Sequence, residues 1–394
     1  MRIFQVLSPS TTFAVPGNQV WRRYLHDSLV DLGHDVVLSA DEGRRARAAS
    51  DASLRAEFSQ RLVDRFRDES RTGRFDLAFT YLMDGMIETD AIEEIRRTGV
   101  PTCNFSCNNI HQFDLVHALA PHFDLNLHSE RDVGDKFRAV GATPLWWPMA
   151  AHPRYAHPVD VPREFGASFV GSNYAPRAEY ALHLLDNGVD LHLFGPGWTL
   201  AGRWPRLKRR VRRDLTIGTA LTVRSLRSQT SATAAAARID MTRRLATEYS
   251  RHAHAPVSDD GVVRLYSSSH VSLGFLEVFD GHDPAKPVLQ HLHLREFEAP
   301  MSGALYLTNY SDELAEHFEP DTEVLVWRDR HEFLEKARYY AEHPRAGEQI
   351  RRAGSERALG ARERRPLDRR SRVGVSRAVR RRRAGRRRRC GRAR

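Results

Sequence analysis

No apolar run in the 394-residue sequence approaches the roughly 18 residues that a membrane-spanning helix needs, so nothing in it reads as a helical membrane anchor. Cysteine is scarce: Cys103, Cys107 and Cys390 make an odd count without metal-ligand spacing, which excludes a disulfide scaffold and makes a reducing cytosol the simplest setting. No H-x-x-x-H or C-x-x-C set occurs, which removes the common zinc enzymes. There is no Asp-x-Asp triplet either, and the nearest acidic pair, Asp280 and Asp283 in LEVFDGHD, reads as loop charge. No G-x-G-x-x-G opens a helix after the first strand, which disfavours a nicotinamide dehydrogenase. The N-terminus, MRIFQVLSPSTTF, lacks the continuous apolar core of a signal peptide and reads as a first strand.

Positive charge is also scarce once the C-terminus is set aside. The net charge is +11, but residues 351–394 hold 20 Arg against three acids (Glu356, Glu363, Asp368), leaving 41 basic and 47 acidic residues elsewhere. The body is mildly acidic, so nucleic acid is disfavoured as a partner except non-specifically through the Arg-rich tail. After Gly360 the apolar periodicity ends, and residues 362–394 are expected to be disordered. Arg365-Pro366-Leu367-Asp368 can be written in codons that, shifted by one base, spell Ala-His-Trp-Thr, which points to a frameshift within the 359–394 tail.

What the chain has in abundance is alternation. Met1 to Leu7 reads as a strand, and Trp21, Leu25, Leu29 and Leu32 recur at helical spacing before Gly33 stops the helix. Strands follow at 34–38, 75–82, 100–107, 123–129 and 143–149, with helices such as 87–97 and 130–140 between. The pattern restarts after AAHPRYAHPVDVP (150–162), with strands at 166–172, 189–195, 270–275, 304–309 and 322–327. The expected class is therefore α/β, two Rossmann-like parallel-sheet domains facing a cleft, over residues 1–155 and 156–358. Ligands of such sheets gather at the carboxyl ends of the strands, so the loops after Leu7, Leu82, Cys107, Ser172 and Gly195 should face the cleft.

Residues 199–261 interrupt the second half as a helical, basic insertion. Its Arg- and Lys-rich stretch, 203–213, fits either a solvated face or a surface held against anionic lipid, each basic residue contributing on the order of 1 kcal/mol. The latter would place a cytoplasmic protein peripherally on the inner face of the membrane.

The stretch 294–309, LREFEAPMSGALYLTN, is the most informative. A helix starting near Arg295 presents Glu298, and a carboxylate there can accept both hydroxyls of a vicinal diol such as ribose. The competing reading is a helix cap. Gly303 lets the backbone turn closely into the next strand.

The spacing of Glu298, Ala299 and Gly303 resembles the Glu-Ala-x-x-x-Gly signature of glycosyltransferases with the two-domain GT-B fold. FVGSNYAPRAEY, HLFGPGW, SSSHVSLGF, REFEAPMSGALYLTN, ELAEHFEP, NNIHQFDLVHALAPHFD and PMAAHPRYAHP together resemble the CgeB-like (spore maturation protein type) glycosyltransferases across about residues 1–358. The resemblance implies sugar transfer from a nucleotide-diphosphate donor to an unidentified acceptor, with no obligatory metal and no cofactor beyond the nucleotide-sugar substrate. The donor would lie on the C-terminal half, against Glu298, Arg177, Arg295, Gly171, Ser172, Asn173 and Gly303, with the acceptor on the N-terminal half. Arg177 stands six positions after the strand glycine, where relatives place a basic residue on the diphosphate. A guanidinium suits that role, since the leaving group gains negative charge; a solvated helix-start charge is the bland alternative. The sequence departs from many retaining relatives at His291, where they carry a second glutamate, and at Ser172, where they carry Arg, which leaves inversion and retention both open.

For the base that takes the acceptor proton, the N-terminal half offers His111, Asp84 and the pair Asn108-Asn109 at strand ends. An imidazole titrating near neutrality suits the task best. Gly17 and Asn18 in the first loop could bring backbone amides to acceptor or phosphate. A sugar-nucleotide epimerase or hydrolase on the same fold, or a non-catalytic binding protein, are the alternatives.

Overall fold

The structure is a computed structural model that describes residues 1–7, 19–39, 48–49, 51–174, 176–199, 229–280 and 286–364. The first sheet is built from β1 (Arg2–Val6), β2 (Asp35–Leu38), β3 (Leu77–Thr80), β4 (Thr102–Ser106), β5 (Leu125–His128) and β6 (Pro144–Trp146). All pairings are parallel, in the order β2-β1-β3-β4-β5-β6. The helices include α1 (Asp27–Asp31), entered through a π-helical stretch at Arg22–His26, then α2 (Ala52–Thr72), α3 (Thr89–Arg97), α4 (Asn109–Gln112) and α5 (Gly134–Ala139). Helices on both faces explain why the strands do not alternate: all five residues of β4 are buried. Asp51 starts α2 by accepting from the amides of Ser53 (2.9 Å) and Leu54 (3.2 Å). Phe58, Leu62 and Phe66 then face the sheet, where Phe66 packs edge-on to Phe4.

The second sheet contains β7 (Phe165–Val170), β8 (Leu191–Phe194), β9 (Ala253–His254) and β10 (Ser269–Leu273); a hairpin of β11 (Glu277–Phe279) and β12 (Val288–Gln290) precedes β13 (Tyr306–Asn309) and β14 (Leu325–Trp327). Its order is β14-β13-β10-β7-β8-β9, again parallel throughout. It is flanked by α6 (Arg177–Asp186), α7 (Gln229–Thr247), α8 (Asp259–Ser268), α9 (Arg295–Met301), α10 (Asp312–Ala315), α11 (Arg330–Glu342) and α12 (Glu348–Arg364). From β7 the chain adds strands on one side and then returns to add the others beyond β10. The gap between β7 and β10 is therefore the topological switch point, where ligands of such sheets bind.

Two sequence expectations change. The presumed insertion, 199–261, contains β9 and the start of α8, so the sheet itself resumes inside it; Leu245 of α7 is buried in the domain core. The helix α12 runs to Arg364, past the expected onset of disorder at 362, because Ala358 and Ile350 still pack on apolar neighbours. Residues 203–213 and 365–394 lie outside the described residues.

The two sheets meet at a seam of polar contacts. Arg131 Nη1 lies 2.6 Å from Glu316, Arg23 Nη1 2.6 Å from Asp260, and the Gln19 amide donates to Asp259 at 2.7 Å. Such seams resemble transient interfaces and permit domain motion.

Candidate active site

Two glycines make the floor of the site. A Cβ on Gly195 would lie 2.3 Å from the carbonyl oxygen of Gly171, so the loops after β7 and β8 touch backbone to backbone only because neither residue there is larger. That carbonyl also accepts from Trp198 Nε1 at 2.7 Å, fixing the β7 loop.

Above this floor stand two guanidinium groups. Arg177, the first residue of α6, is 1% exposed, which rules out the solvated-charge reading. Its Nη1 donates to the Ser172 carbonyl (3.1 Å) and Nη2 to the Tyr174 hydroxyl (2.8 Å), while the guanidinium lies 3.7 Å from the Tyr174 ring centroid. Burial pulls its pKa down to about 10; Tyr174 opposes this, and the positive charge of Arg295 adds to it. Arg295 opens α9, donates from Nε to the Val170 carbonyl at 2.9 Å, and passes so close to Gly171 that a Cβ there would lie 2.7 Å from Nη2. Arg177 Nε and Arg295 Nη1 are buried without hydrogen-bond partners. Among the described residues neither arginine forms an ion pair with a carboxylate. Arg177 is buried and Arg295 half-buried; a buried cation outside an ion pair costs several kcal/mol before compensation, and the wall the two share is a ready anion site.

Glu298 completes the pocket, a cavity of about 290 Å³ that also touches Gly171, Ser172, Arg177, Arg295 and, from the N-terminal domain, Val20. Its carboxylate does not cap α9; Oε1 accepts from the hydroxyl of Tyr24 across the seam. Burial raises the Glu298 pKa, with the Tyr24 hydrogen bond opposing. The neighbouring Glu296, fully buried, accepts from Tyr306 Oη at 2.7 Å and from the His293 amide, and so shapes the turn that delivers Arg295 and Glu298.

Other expected residues fall elsewhere. Gly303 lies at the far end of α9, with φ +78°; its carbonyl accepts from Arg351 at 2.7 Å and a Cβ would press on Pro158, so it serves the turn into β13 and not the pocket. Asn173 turns its amide to the Gly197 carbonyl and Thr242 Oγ1, both at 3.2 Å, bracing α7 outside the pocket lining. Asp84 has both oxygens occupied, by the amides of Leu119 (2.8 Å) and Ala118 (3.0 Å), which makes it a loop anchor. Gly17 and Asn18 lie outside the described residues.

His111, on α4, is 9% exposed and does not line the 290 Å³ cavity. It stands at the seam with its ring 5.5 Å from that of His291, which in turn lies 4.1 Å from His293. Burial, and then the neighbouring His111, lower the His291 pKa to about 3; burial also pushes His293 well below its ordinary value. Both rings are thus neutral at physiological pH. Glu130, buried beside them, accepts from the Asn108 amide, Ser129 Oγ (2.9 Å) and Asn109 Nδ2 (3.2 Å). It holds Asn108 in a left-handed turn (φ 64°) that aims α4 at the seam. Tyr24, Glu130, Glu296 and His293 were not singled out in the sequence, since no spacing joins them to the motifs they support.

Residues 177–364 match the model of a family described as glycosyl transferase-like. No curated protein matches the chain. Among solved structures it is similar to a sucrose-phosphate synthase from Thermosynechococcus elongatus, at 11% identity and TM-score 0.56, covering 91% of this chain and 94% of that one. It is likewise similar to a glycosyltransferase from Rickettsia africae ESF-5 (9% identity, TM-score 0.54, 91% and 93% covered) and to Anabaena HepE in complex with UDP and glucose (10%, 0.52, 92% and 95%). The architecture is the two-domain GT-B fold, carrying a glycosyl transferase-like match over its C-terminal half.

Proposed function

We propose that the chain is a CgeB-like glycosyltransferase that moves a sugar from a nucleoside diphosphate donor to a hydroxyl-bearing acceptor without a metal ion, in a reducing cytosol that fits its free Cys103 and Cys107. The observation that carries the reading is the pair of guanidinium groups of Arg177 and Arg295 beside the glycine floor, each with a buried nitrogen that has no hydrogen-bond partner and neither in an ion pair among the described residues, in one cavity with Glu298. A nucleoside diphosphate matches that set: its phosphates meet the two arginines and its ribose diol meets the Glu298 carboxylate. Anabaena HepE, of the same fold, was seen with UDP and glucose, which supports a donor of this class.

In the reaction the acceptor oxygen bonds to the anomeric carbon, the bond from that carbon to the diphosphate breaks, and the acceptor proton passes to His111. Charge that develops on the departing diphosphate is met by Arg177 and Arg295, whose positions are fixed beforehand by Ser172, Tyr174 and Val170, so no reorganisation is needed as it grows. The acceptor enters from the N-terminal domain.

A thermal-shift screen against uridine, guanosine and thymidine diphosphate sugars tests this, since a ligand at 100 times its dissociation constant stabilises the fold by about 2.7 kcal/mol. Transfer must then require an acceptor and proceed without added divalent metal. Turnover of donor alone would mark an epimerase or hydrolase, and no stabilisation by any nucleotide sugar would refute the reading.

A further inference from the structure

A second set of chemically capable side chains sits at the edge of the C-terminal sheet, away from the cleft. Parallel pairing of Leu193 with Ala253 and Phe194 with His254 brings the start of β8, with Asp190 and His192, beside the start of β9, with His252 and His254. One donor atom each from Asp190, His192 and His252 lies within 4.8 Å of the others. His192 Nε2 is 3.2 Å from Asp190 Oδ1, and His252 Nδ1 is 3.9 Å from the same oxygen. That Nδ1 belongs to a buried residue, 8% exposed, which also hydrogen-bonds to the backbone of Leu191 in β8.

We propose that Asp190, His192 and His252 form a structural site for one first-row divalent ion, Zn²⁺ in first place, that staples β9 to the edge of the sheet. Two imidazoles and one carboxylate suit such an ion and not Mg²⁺ or Ca²⁺, which take oxygen sets. Tetrahedral zinc, here with water as its fourth ligand, takes its donors at about 2.0–2.2 Å and so sets them about 3.3 Å apart. The Asp190–His192 edge already has that length, and the His252–Asp190 edge, 3.9 Å, must shorten by about 0.6 Å.

The surrounding groups fit the tautomers required. With Nε2 of His192 on the ion, its Nδ1–H donates to His254 Nε2, 2.9 Å away. His254 is held in turn by stacking on Phe194, 4.4 Å between centroids, an outer partner of the kind that orients metal-bound histidines. In the metal-free chain Arg251 Nε donates to His252 Nε2 at 3.0 Å, which keeps the proton on Nδ1. Binding moves that proton to Nε2, frees the Nδ1 lone pair and releases the exposed Arg251 side chain.

The fold gives the staple a purpose. β9 is two residues long, lies at the sheet edge, and resumes the sheet only after the long excursion between Phe194 and Ala253. Such a strand has little ladder of its own to offset the entropy of closing that loop. From β9 the chain continues through Pro256 and Val257, which line the cleft cavity. The ion would therefore steady a wall of the cleft without taking part in transfer.

The test uses tag-free, full-length protein stripped with chelator, redialysed with Zn²⁺ and assayed for bound metal, with Co²⁺ as a spectroscopic probe. Expected are one equivalent of zinc, a raised melting temperature, and visible d–d bands of tetrahedral Co²⁺. Asp190→Asn, at a largely exposed side chain, should keep the fold and weaken zinc binding roughly tenfold or more. His252→Gln should abolish the Co²⁺ bands. Substoichiometric zinc, or binding unchanged in Asp190→Asn, would overturn the proposal, the second result placing the ion elsewhere among the histidines; if His252→Gln does not fold, Asp190→Asn decides alone.

Discussion

The hydrogen bond from Tyr24 to Glu298 crosses the domain seam and occupies the oxygen that the donor ribose would use. A charge-assisted hydrogen bond contributes about 1.5–3 kcal/mol, and about 1.4 kcal/mol is tenfold in affinity. Glu298→Gln keeps the shape and loses the charge, so donor affinity should fall by about one to two orders of magnitude. Tyr24→Phe should act in the opposite direction. It leaves the Glu298 carboxylate without its resting partner, so the free protein is destabilised while the donor no longer competes with a tyrosine hydroxyl. Donor binding should tighten by about tenfold and the melting temperature of the free protein should drop. The double variant should bind donor as weakly as Glu298→Gln alone, since removing the competitor matters only while the carboxylate is there. Calorimetric titration with the donor found in the screen, beside urea melts of each variant, reads all four corners. Unchanged affinity in Glu298→Gln would remove that residue from the site, and weaker binding in Tyr24→Phe would show that Tyr24 positions the carboxylate instead of occupying it.

Arg177→Met should abolish measurable donor binding while the melting temperature holds or rises, because the variant removes a buried, unpaired cation; a large loss of stability with donor affinity intact would contradict the anion-site reading. His111→Gln should lower kcat at least a hundredfold with donor Kd unchanged, checked by titration beside turnover, since general-base assistance contributes about 10²–10⁴. His291, held neutral with its pKa lowered to about 3, binds no proton in the folded state between that value and its unfolded 6.5. The unfolded chain takes up the proton there, so stability is full above pH 6.5 and is lost as pH falls, by about 2 kcal/mol at pH 5 from this group alone. Urea melts from pH 7.5 to 5 should show that slope, and it should flatten in His291→Asn. If residues 203–213 meet anionic lipid, vesicle association should fall steeply with salt, because surface attraction is screened within about 10 Å at 0.1 M; absent or salt-insensitive binding would sink the idea.

The alternating strands and helices, the restart after residue 162 and the GT-B likeness were legible in the sequence, because apolar runs and their punctuation are local properties. The expected strands at 75–82, 100–107 and 166–172 enclose β3, β4 and the end of β7, and the helix carrying Glu298 begins at Arg295 as read. Two-residue β9 carries no periodicity to detect and was hidden inside an apparent insertion. Spacing also could not say which way a side chain turns: Gly303 shares a motif with Glu298 yet closes the far end of α9, and Asp84, at a strand end, is taken by two backbone amides.

Which residues become neighbours was decided by tertiary structure alone. The crossing of the chain between β7 and β10 places Arg177 and Arg295, more than a hundred residues apart in the chain, on one cavity wall and buries Arg177. The seam sets Tyr24 on Glu298 and His111 beside His291. The same holds for Asp190, His192 and His252, brought together by a parallel register that no ligand spacing along the chain encodes. Sequence determines which segments must hide their apolar faces, and hence the layers. Burial, charge compensation and proton affinity depend on distances across those layers, which exist only once the sheets have packed.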